Sequence, residues 1–423
     1  MTSQTTHAAD SLDTDTTERE PLGRRFGAHL TATGLANLAD GVMQVGLPLY
    51  AVTLTRSPLA ISLLSAAVWL PWLLLAIGAG LVVDRSDRKH VQIAGLTVRA
   101  LALTAGATLI AADRMSIEAL VVLALVYGAT DVLVDLAQNA IVPDLVPRTR
   151  LQAANGRLMA VQQIAASFVG APVAAFLLAL GATWVVGVAA GLAVAAIATL
   201  AVGVPGSYRH AAPTTPGPHA ALADIREGLR MLIGHPVLRP MTLAGSVANM
   251  AMTGYTAVLV LWAVGPGSAL GLTGSQYAWM GAAMAVGAVL ASLVVEPVVT
   301  RLGELRTILG GWWIGAAVLA VPVLLPLPWL LYPVAFVLGA SISTANVASQ
   351  SVRQRLVAPR LLGRVGGASR TLGYGLMPLG ALTAGLAAGH WGLAPTLLGA
   401  SALAVLAPLL PALTVRRSML GTP

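Results

Sequence analysis

Five charged residues stand inside long apolar stretches of the sequence: Asp40, Arg99, Asp131, Asp135 and Arg370. Arg370 is close enough to a helix end for its side chain to reach the membrane surface. A charged side chain at the centre of a bilayer costs about 2.5–3.5 kcal/mol on insertion scales, so such residues are by default candidates for an ion or substrate pathway. A carboxyl group held away from water can take up and release a proton near neutral pH. We therefore predict that Asp40 and Asp131 couple proton movement to function. The alternative for Asp40 is a hydrogen bond that fixes the packing of neighbouring helices.

Asp131 and Asp135 are four residues apart, so they share one face of a helix. Two carboxylates at this spacing repel each other when both are ionised, which favours a proton on one of them. Arg99 and Asp135 lie at similar distances from the ends of their predicted helices, so an ion pair between them is expected. The alternative is a gating role for both residues. Asp131 is then the better candidate for transferring a proton or binding a cationic group.

The composition is typical of a membrane protein. Of the 423 residues, 57% are apolar and only 10% are charged, whereas a soluble domain carries roughly 25% charged residues. This excludes an ordinary soluble enzyme and a disordered chain. The net charge of +8 comes from arginines in short clusters, so nucleic-acid binding is not indicated. The sequence has no cysteine, no histidine pair at helical spacing and no phosphate-binding loop, so we expect no metal, no cofactor and no ATP hydrolysis.

Twelve stretches are long and apolar enough to cross a bilayer, which takes about 20 residues per helix. These are residues 27–54, 58–83, 91–111, 117–141, 152–179, 184–204, 240–264, 277–298, 307–325, 329–350, 365–388 and 393–413. The arginine clusters fall in alternate connections, as expected of loops on the cytoplasmic side of a membrane. The sequence therefore predicts a multi-pass protein of the bacterial plasma (inner) membrane with both termini in the cytoplasm.

The predicted helices fall into two related sets of six. Asp84 and Glu296 end corresponding helices 212 residues apart, and Pro147 and Pro359 follow corresponding helices at the same offset. We predict an all-α integral membrane protein with two pseudo-symmetric six-helix halves around a central site. The expected segments are a disordered cytoplasmic tail (1–25), a six-helix bundle (26–204), a cytoplasmic linker with an amphipathic helix on the membrane surface (205–239), a second six-helix bundle (240–414) and a cytoplasmic tail (415–423).

The loop after the second predicted helix carries the most specific motif. The sequence Gly80-Leu-Val-Val-Asp84-Arg85-Ser-Asp87-Arg88-Lys89 resembles the Gly-x-x-x-Asp-Arg-x-Gly-Arg-Lys loop of the major facilitator superfamily, with Asp87 where glycine is usual. Residues 143–155 and 354–365 resemble the enterobactin-exporter and macrolide-efflux branch of that superfamily. The antiporter motif of the fifth helix, which ends in Gly-Pro, is only partial here, because Ala171 stands between Gly170 and Pro172. The resemblance covers residues 25–415.

The resemblance implies the major facilitator fold and a gate on the cytoplasmic side. In the family, the aspartate and the second arginine of this loop hold that side shut. The gating residues expected here are Gly80, Asp84, Arg85, Arg88, Lys89, Arg99 and Asp135. Asp84 is expected at the N-terminal end of the eleventh helix, near Gly363–Gly367, and the arginines are expected to pair with acids such as Asp135 or Asp144. The alternative is a solvated cluster of positive charge.

The resemblance also implies transport by alternating access. The substrate is expected to contact uncharged polar residues of the helices, and the candidates are Gln162, Gln163, Asn249, Tyr255, Asn346, Gln350 and Tyr374. The tryptophans, among them Trp69 and Trp72, are interpreted as anchors at the membrane surface. The predicted function is a proton-coupled exporter, of the drug:proton antiporter type, for bulky amphipathic small molecules such as drugs, macrolides or siderophore-like compounds. It is expected to use the proton gradient and to work as a monomer among membrane lipids.

Two other functions fit the same sequence. A lysophospholipid flippase or an importer would share the fold, but the flippase cavity should open sideways to lipid and need no proton gradient. A membrane protein that binds or senses without transporting would not need paired halves, a gating loop or buried acids. An enzyme is not indicated, because no nucleophile–base pair is present in the sequence.

Overall fold

The computed structural model describes residues 22–209, 218–357, 361–416 and 419, and these residues form helices and their connections. The first part comprises α1 (Arg24–Leu54), α2 (Pro58–Arg85), α3 (Arg88–Ala111), α4 (Ile117–Ala140), α5 (Val142–Leu145), α6 (Leu151–Gln163), a π-helical segment (Ile164–Val169), α7 (Gly170–Leu180) and α8 (Ala182–Gly203). The second comprises α9 (Pro218–Gly234), α10 (Leu238–Ala263), α11 (Gly274–Leu302), α12 (Glu304–Val318), α13 (Val321–Leu324), α14 (Leu331–Leu356), α15 (Leu362–Gly375), α16 (Met377–Trp391), α17 (Leu393–Leu406) and α18 (Leu409–Thr414). Two short 3-10 turns, Arg148–Arg150 and Pro328–Leu330, precede α6 and α14.

Polar residues explain where several helices begin. The hydroxyl groups of Ser57 and Ser116 each accept a hydrogen bond from a backbone N–H group three residues later, at the starts of α2 and α4. Thr273 and Gln276 form a reciprocal capping box at the start of α11. Such caps satisfy N–H groups that the first turn of a helix leaves unpaired. They fix the starts of three helices at the same end of the bundle.

Eleven helical segments of the described residues are long and apolar enough to cross a membrane. They correspond one by one to the second through twelfth stretches predicted from the sequence. The first predicted stretch, 27–54, forms the continuous helix α1 of 31 residues, which is about 46 Å long at 1.5 Å per residue. This helix is less apolar because Thr31, Asn37, Asp40 and Gln44 interrupt it. Its length suits a membrane span, while its polarity suits a position inside the bundle.

The two halves of the protein pack by the same plan. In the first half α1 packs on α8, α2 on α4, and α3 on α4; in the second, α10 packs on α17, α11 on α14, and α12 on α14. Close helix contacts repeat as well. A Cβ atom on Gly41 would lie 2.0 Å from the Ala166 carbonyl oxygen, and one on Gly254 would lie 2.7 Å from the Gly380 carbonyl oxygen. The equivalent positions are 213 and 214 residues apart, which supports the internal repeat predicted from the sequence.

The arginine clusters lie at one end of the bundle, the arginine-rich end, and the loops with few charges lie at the opposite end. The halves meet mainly toward the opposite end, where α2 packs on α16 and α7 packs on α11. A Cβ atom on Gly385 of α16 would lie 2.4 Å from the Ser62 Cβ atom of α2, so these helices are in close contact. The Arg56 Nη1 atom also donates a hydrogen bond of 2.5 Å to the Val264 carbonyl oxygen of the other half. The halves are therefore closed at the opposite end.

Helix α9 lies in the segment between the halves. Its side chains Leu229 and Leu232 pack with Val365 and Ala368 of α15. The sequence predicts an amphipathic helix on the membrane surface here. Leu229 and Leu232 are covered by α15, whereas Ile233 is exposed, and the position on the membrane surface stays a prediction. Most of the predicted N-terminal tail, and of the C-terminal tail all but Val415, Arg416 and Met419, lie outside the described residues.

Candidate functional site

The positions of the buried charges follow from how α1, α3 and α4 pack. Helices α1 and α4 run antiparallel, and the His29 Nε2 atom lies 3.0 Å from the Gln138 carbonyl oxygen at one end of their contact. Eleven residues later in α1 and eleven residues earlier in α4, the Tyr127 hydroxyl group donates a hydrogen bond to the Asp40 carboxylate. Helix α3 packs beside α4, with Gly95 opposite Val134. This packing places Asp40, Arg99 and Asp131 at nearly the same depth.

Arg99 joins the two carboxylates that the sequence singled out. Its side chain is 0% exposed, whereas those of Asp40 and Asp131 are 25% and 30% exposed. The Nη1 atom lies 2.6 Å from Asp40 Oδ1, and the Nη2 atom lies 3.1 Å from Asp131 Oδ1. The Nε atom donates to the Thr130 hydroxyl group at 3.3 Å, and the Tyr127 ring centre lies 4.5 Å from the guanidinium carbon. We call Asp40, Arg99 and Asp131 the charge cluster.

The predicted ion pair between Arg99 and Asp135 is wrong. Helix α3 begins at Arg88, three residues before the predicted start, so Arg99 lies about 4.5 Å deeper in the bundle than expected. Its guanidinium therefore reaches the level of Asp131, one turn beyond Asp135. The Asp135 carboxylate accepts hydrogen bonds from the side chains of Gln138 and Asn139 on its own helix.

Trp72 connects the charge cluster to the second half. Its Nε1 atom donates a hydrogen bond of 3.1 Å to Asp131 Oδ2. The rings of Trp72 and Tyr374 meet nearly edge-on, with centres 5.5 Å apart, and the Trp69 ring lies 5.7 Å from the same tyrosine. The interpretation of Trp69 and Trp72 as membrane-surface anchors is therefore wrong, because both lie between the halves. Each of the three aromatic side chains is only partly buried.

Sequence reasoning missed Tyr127 and Trp72 as parts of this site. Tyr127 lies four residues before Asp131, so the two share a helix face, and this spacing could have identified the tyrosine. No such signal marks Trp72. Helix α2 is apolar on all sides, so its sequence does not show which residues face α4.

The charged residues of the motif loop between α2 and α3 differ in their burial and in their partners. The Arg88 Nη1 atom lies 2.9 Å from Asp144 Oδ2, which confirms the predicted pairing of an arginine of this loop with Asp144. Lys89 is buried, with its Nζ atom 3.5 Å from the Ala201 carbonyl oxygen. Asp84 and Arg85 are exposed, and a Cβ atom on Gly80 would meet no other atom within 4 Å. The gating role of these residues and the contact of Asp84 with the eleventh helix stay predictions.

Asp87, which replaces the usual glycine, ties this loop to the segment after α8. Its carboxylate accepts hydrogen bonds from the Lys89 and His90 N–H groups at the start of α3. It also accepts bonds of 2.6 Å from the Ser207 hydroxyl group and 2.9 Å from the Tyr208 N–H group. Burial acts to raise the pKa of the Asp87 carboxyl group, but the hydrogen bonds outweigh it and lower this pKa to about 2. The aspartate therefore stays ionised and holds the two segments together.

The predicted substrate-binding residues do not form one group. Tyr374 lies beside the charge cluster through its contact with Trp72, and Asn249 lines a small cavity of about 140 Å³ in the second half. Gln162 is partly buried, and Gln163, Asn346 and Gln350 are exposed. Tyr255 is 2% exposed and donates a hydrogen bond of 2.7 Å to the Leu319 carbonyl oxygen, so it packs within the second half.

The π-helical segment lies directly beside Asp40. A Cβ atom on Gly41, the next residue, would lie 2.0 Å from the carbonyl oxygen of Ala166 in this segment. A Cβ atom on Gly170, which follows the segment, would lie 2.6 Å from the Gly41 Cα atom. The backbones of α1 and the fifth membrane span are thus in direct contact next to the charge cluster. A π-helical turn inside an α-helix is frequent at functional sites.

The charge cluster suits the binding of a single positive charge. Two ionised carboxylates around one guanidinium leave one net negative charge, partly open to solvent. Either a proton or a cationic group could neutralise it. Among the described residues, no group of three or more histidine, aspartate or glutamate side chains is placed to hold a metal ion.

Comparison with known proteins agrees with this architecture. A family model described as transmembrane secretion effector, of the major facilitator superfamily, matches residues 20–419. The chain is 29% identical over 412 residues to the multidrug efflux pump Tap of Mycolicibacterium fortuitum, covering 91% of this chain and 93% of that protein. Its fold is similar to crystal structures of the nucleoside transporter NupG (15% identity, TM-score 0.72, 93% of this chain and 100% of that one) and of an inward-facing bacterial homologue of the iron transporter ferroportin (14% identity, TM-score 0.71, 93% and 99%). The protein is thus a membrane transporter and not an enzyme, and it belongs to the transmembrane secretion effector family of the major facilitator superfamily.

Proposed function

We propose that the protein is a proton-coupled exporter of bulky amphipathic small molecules, in which the charge cluster exchanges a proton for the substrate. The observation that carries the proposal is the pair of partly exposed carboxylates, Asp40 and Asp131, held around the fully buried Arg99. In a membrane protein such groups are the usual sites of ion and substrate pathways.

The charge balance of the cluster explains how exchange would work. Arg99 balances only one of the two carboxylates, so the ionised cluster carries one net negative charge. A proton or a cationic group of the substrate would each bring the cluster to neutrality. Both together would leave an uncompensated positive charge inside the bundle, which is costly. Proton and cationic substrate therefore exclude each other, and binding of one releases the other.

The surroundings of the cluster favour amphipathic substrates. Trp69, Trp72 and Tyr374 offer partly buried aromatic surface next to the Asp131 carboxylate. Aromatic faces attract cations, and ligand pockets combine a few polar groups with mainly apolar walls. A relative that aligns with 91% of this chain is a multidrug efflux pump, which supports export as the direction.

Inside-out membrane vesicles test the proposal directly. Macrolides, cationic dyes, siderophores and lysophospholipids are added one by one, and proton movement is recorded for the wild type and for Asp40→Asn. Asp113→Asn is the matched control, because Asp113 is an exposed aspartate in the turn between α3 and α4. Its positive φ of 55° is also one that asparagine readily adopts.

The expected result is a compound that moves protons with the wild type and with Asp113→Asn but not with Asp40→Asn. Normal proton-coupled transport by Asp40→Asn would refute the role of this carboxylate. Movement of lysophospholipid without any proton signal would overturn the exporter in favour of a flippase.

A further inference from the structure

Of the side chains described above, that of Trp72 contacts both the charge cluster and the other half of the protein. Its indole N–H group donates to Asp131 Oδ2 at 3.1 Å, while its ring meets the Tyr374 ring edge-on at 5.5 Å. A single side chain thus contacts the group whose charge would change and the half that would move.

The backbone around Trp72 has two features that place the side chain there, a close contact with α4 and a proline. A Cβ atom on Gly128 of α4 would lie 2.3 Å from the Val68 carbonyl oxygen of α2, so the glycine lets the two helices touch. Pro71, inside α2, precedes Trp72 directly. Because proline has no N–H group, the helix loses one hydrogen bond at this turn and can bend there. Trp72 therefore lies where α2 is in close contact with α4 and next to a point where α2 can bend.

Tyr374, on the other side of the aromatic contact, lies next to a break between two helices. Helix α15 ends at Gly375, one residue after Tyr374, and α16 begins at Met377 with Pro378 in its first turn. A Cβ atom on Gly375 would lie 3.1 Å from the Leu73 Cδ1 atom, so this break faces α2. Trp72 therefore stands next to a proline inside its helix, and Tyr374 stands next to the end of its helix.

We propose that Trp72 transmits the charge state of Asp131 to the contact between the two halves. While Asp131 is ionised, its carboxylate holds the indole and keeps the ring edge-on against Tyr374. When a proton neutralises Asp131, the indole is released, because a hydrogen bond to a charged acceptor is roughly twice as strong as one to a neutral acceptor. The aromatic contact then loosens and the halves can separate at this level. This inference rests on the proposed function.

Several charged and titratable groups face Asp131 and set the conditions for this step. Arg99 approaches it from α3, and Asp40 of α1 lies on the other side of the same guanidinium. Tyr127 and Asp135 lie one turn away on α4, and the Tyr374 hydroxyl belongs to α15. The pH response of the halves is therefore a property of the whole group, and the variants below change only the link between that group and the second half.

The test uses spin labels at the arginine-rich end. The chain has no cysteine, so Gln152→Cys and Gln354→Cys, both at exposed positions in different halves, can be labelled without further changes. The distance between the labels is measured at a mildly acidic and at a mildly basic pH. Substrate binding is measured on the same samples with a cationic dye found to move protons.

Trp72→Phe keeps an aromatic ring and removes the N–H donor, so the pH-dependent change in label distance is expected to be lost. Dye binding, in which the same ring takes part, serves only to show that the variant is folded. Trp69→Phe is the matched control, because Trp69 contacts the same tyrosine from the preceding turn, and it is expected to respond as the wild type does. If Trp72→Phe does not fold, Tyr374→Leu tests the same link from the other half and is expected to lose the response.

Three outcomes would refute the proposed link through Trp72. A normal pH response in Trp72→Phe or Tyr374→Leu would refute the link while leaving proton-coupled export intact. Loss of the response in Trp69→Phe as well would show that ring packing, not the bond to Asp131, carries it, and would also refute the link. A wild type that shows no pH response but still moves the dye would overturn the proposed coupling and this inference with it.

Discussion

Removal of the Arg56 guanidinium is expected to weaken the closure of the two halves at the opposite end. The Arg56 side chain crosses from the first half to donate a hydrogen bond of 2.5 Å to the Val264 carbonyl oxygen of the second. The next residue, Gly265, has a φ of +94°, and a Cβ atom there would lie 1.8 Å from Arg56 Nη2. The glycine thus provides both the turn and the space into which the guanidinium fits.

The size of the effect follows from this single contact. A hydrogen bond from a charged donor contributes about 1.5–3 kcal/mol when it is buried. Arg56 is an exposed residue, however, and solvent reduces such contributions toward about 1 kcal/mol. Arg56→Ala should therefore shift the ratio of closed to open molecules by about fivefold to tenfold, since 1.4 kcal/mol corresponds to a factor of ten.

Spin labels at the opposite end measure this shift. Ala112→Cys and Leu327→Cys are exposed positions in different halves, and the population with the longer label distance is expected to increase in Arg56→Ala. Arg56→Lys keeps the charge and is expected to lie between the wild type and Arg56→Ala. Gly265→Ala is expected to open the same end, because its methyl group would occupy the position of the guanidinium. An unchanged distance distribution in both Arg56→Ala and Gly265→Ala would refute the reasoning.

Three further substitutions have defined outcomes. Arg99→Gln leaves both carboxylates without their cation, so we expect a loss of about 3–5 kcal/mol in the free energy of unfolding and no transport. Gly41→Ala would place a Cβ atom 2.0 Å from the Ala166 carbonyl oxygen, so α1 must move away and a lower thermal midpoint with slower transport is expected. Asp87→Asn should lower the free energy of unfolding by about 1–2 kcal/mol, equally at about pH 7 and about pH 5. The pKa of about 2 keeps the native carboxylate ionised at both values, and its contribution is lost only as the pH falls from the ordinary carboxyl range toward that pKa.

The results that would contradict these expectations are equally defined. Normal transport by a stable Arg99→Gln protein would show that the carboxylates do not need the guanidinium. A Gly41→Ala protein with an unchanged thermal midpoint would mean that α1 and the π-helical segment are not tightly packed. A stability difference for Asp87→Asn that disappears at about pH 5 would contradict the low pKa of the native carboxylate.

Much of the fold could be predicted from the sequence, because long apolar stretches and alternating arginine clusters define membrane helices almost without tertiary information. Asp40 and Asp131 were also found in advance, since a carboxylate in an apolar helix is conspicuous. The partner of Arg99 could not be found in the same way. The depth of Arg99 depends on where α3 begins, which the sequence predicts three residues too late. The difference of about 4.5 Å is nearly a full turn.

The aromatic contact between the halves could not be predicted for a different reason. Trp72 and Tyr374 meet only because α2 packs on α4 in one direction and faces α15 in the other. An apolar helix such as α2 carries no pattern that separates a face toward lipid from a face toward protein. Such contacts depend on the arrangement of all the helices and become visible only in the structure.

The π-helical segment allows the fifth membrane span, residues 151–180, to differ in length by one residue. Hydrogen bonds from residue i to residue i+5 place one more residue in a turn than the i to i+4 bonds of an α-helix. An added residue, such as the alanine between Gly170 and Pro172, can be absorbed at Ile164–Val169 without rotating α6 relative to α7. A one-residue deletion within Ile164–Val169 should therefore be tolerated, because it restores a regular helix, whereas the same deletion within α7 would rotate the remaining residues by about 100°. An alignment gap in this span belongs in the π-helical segment.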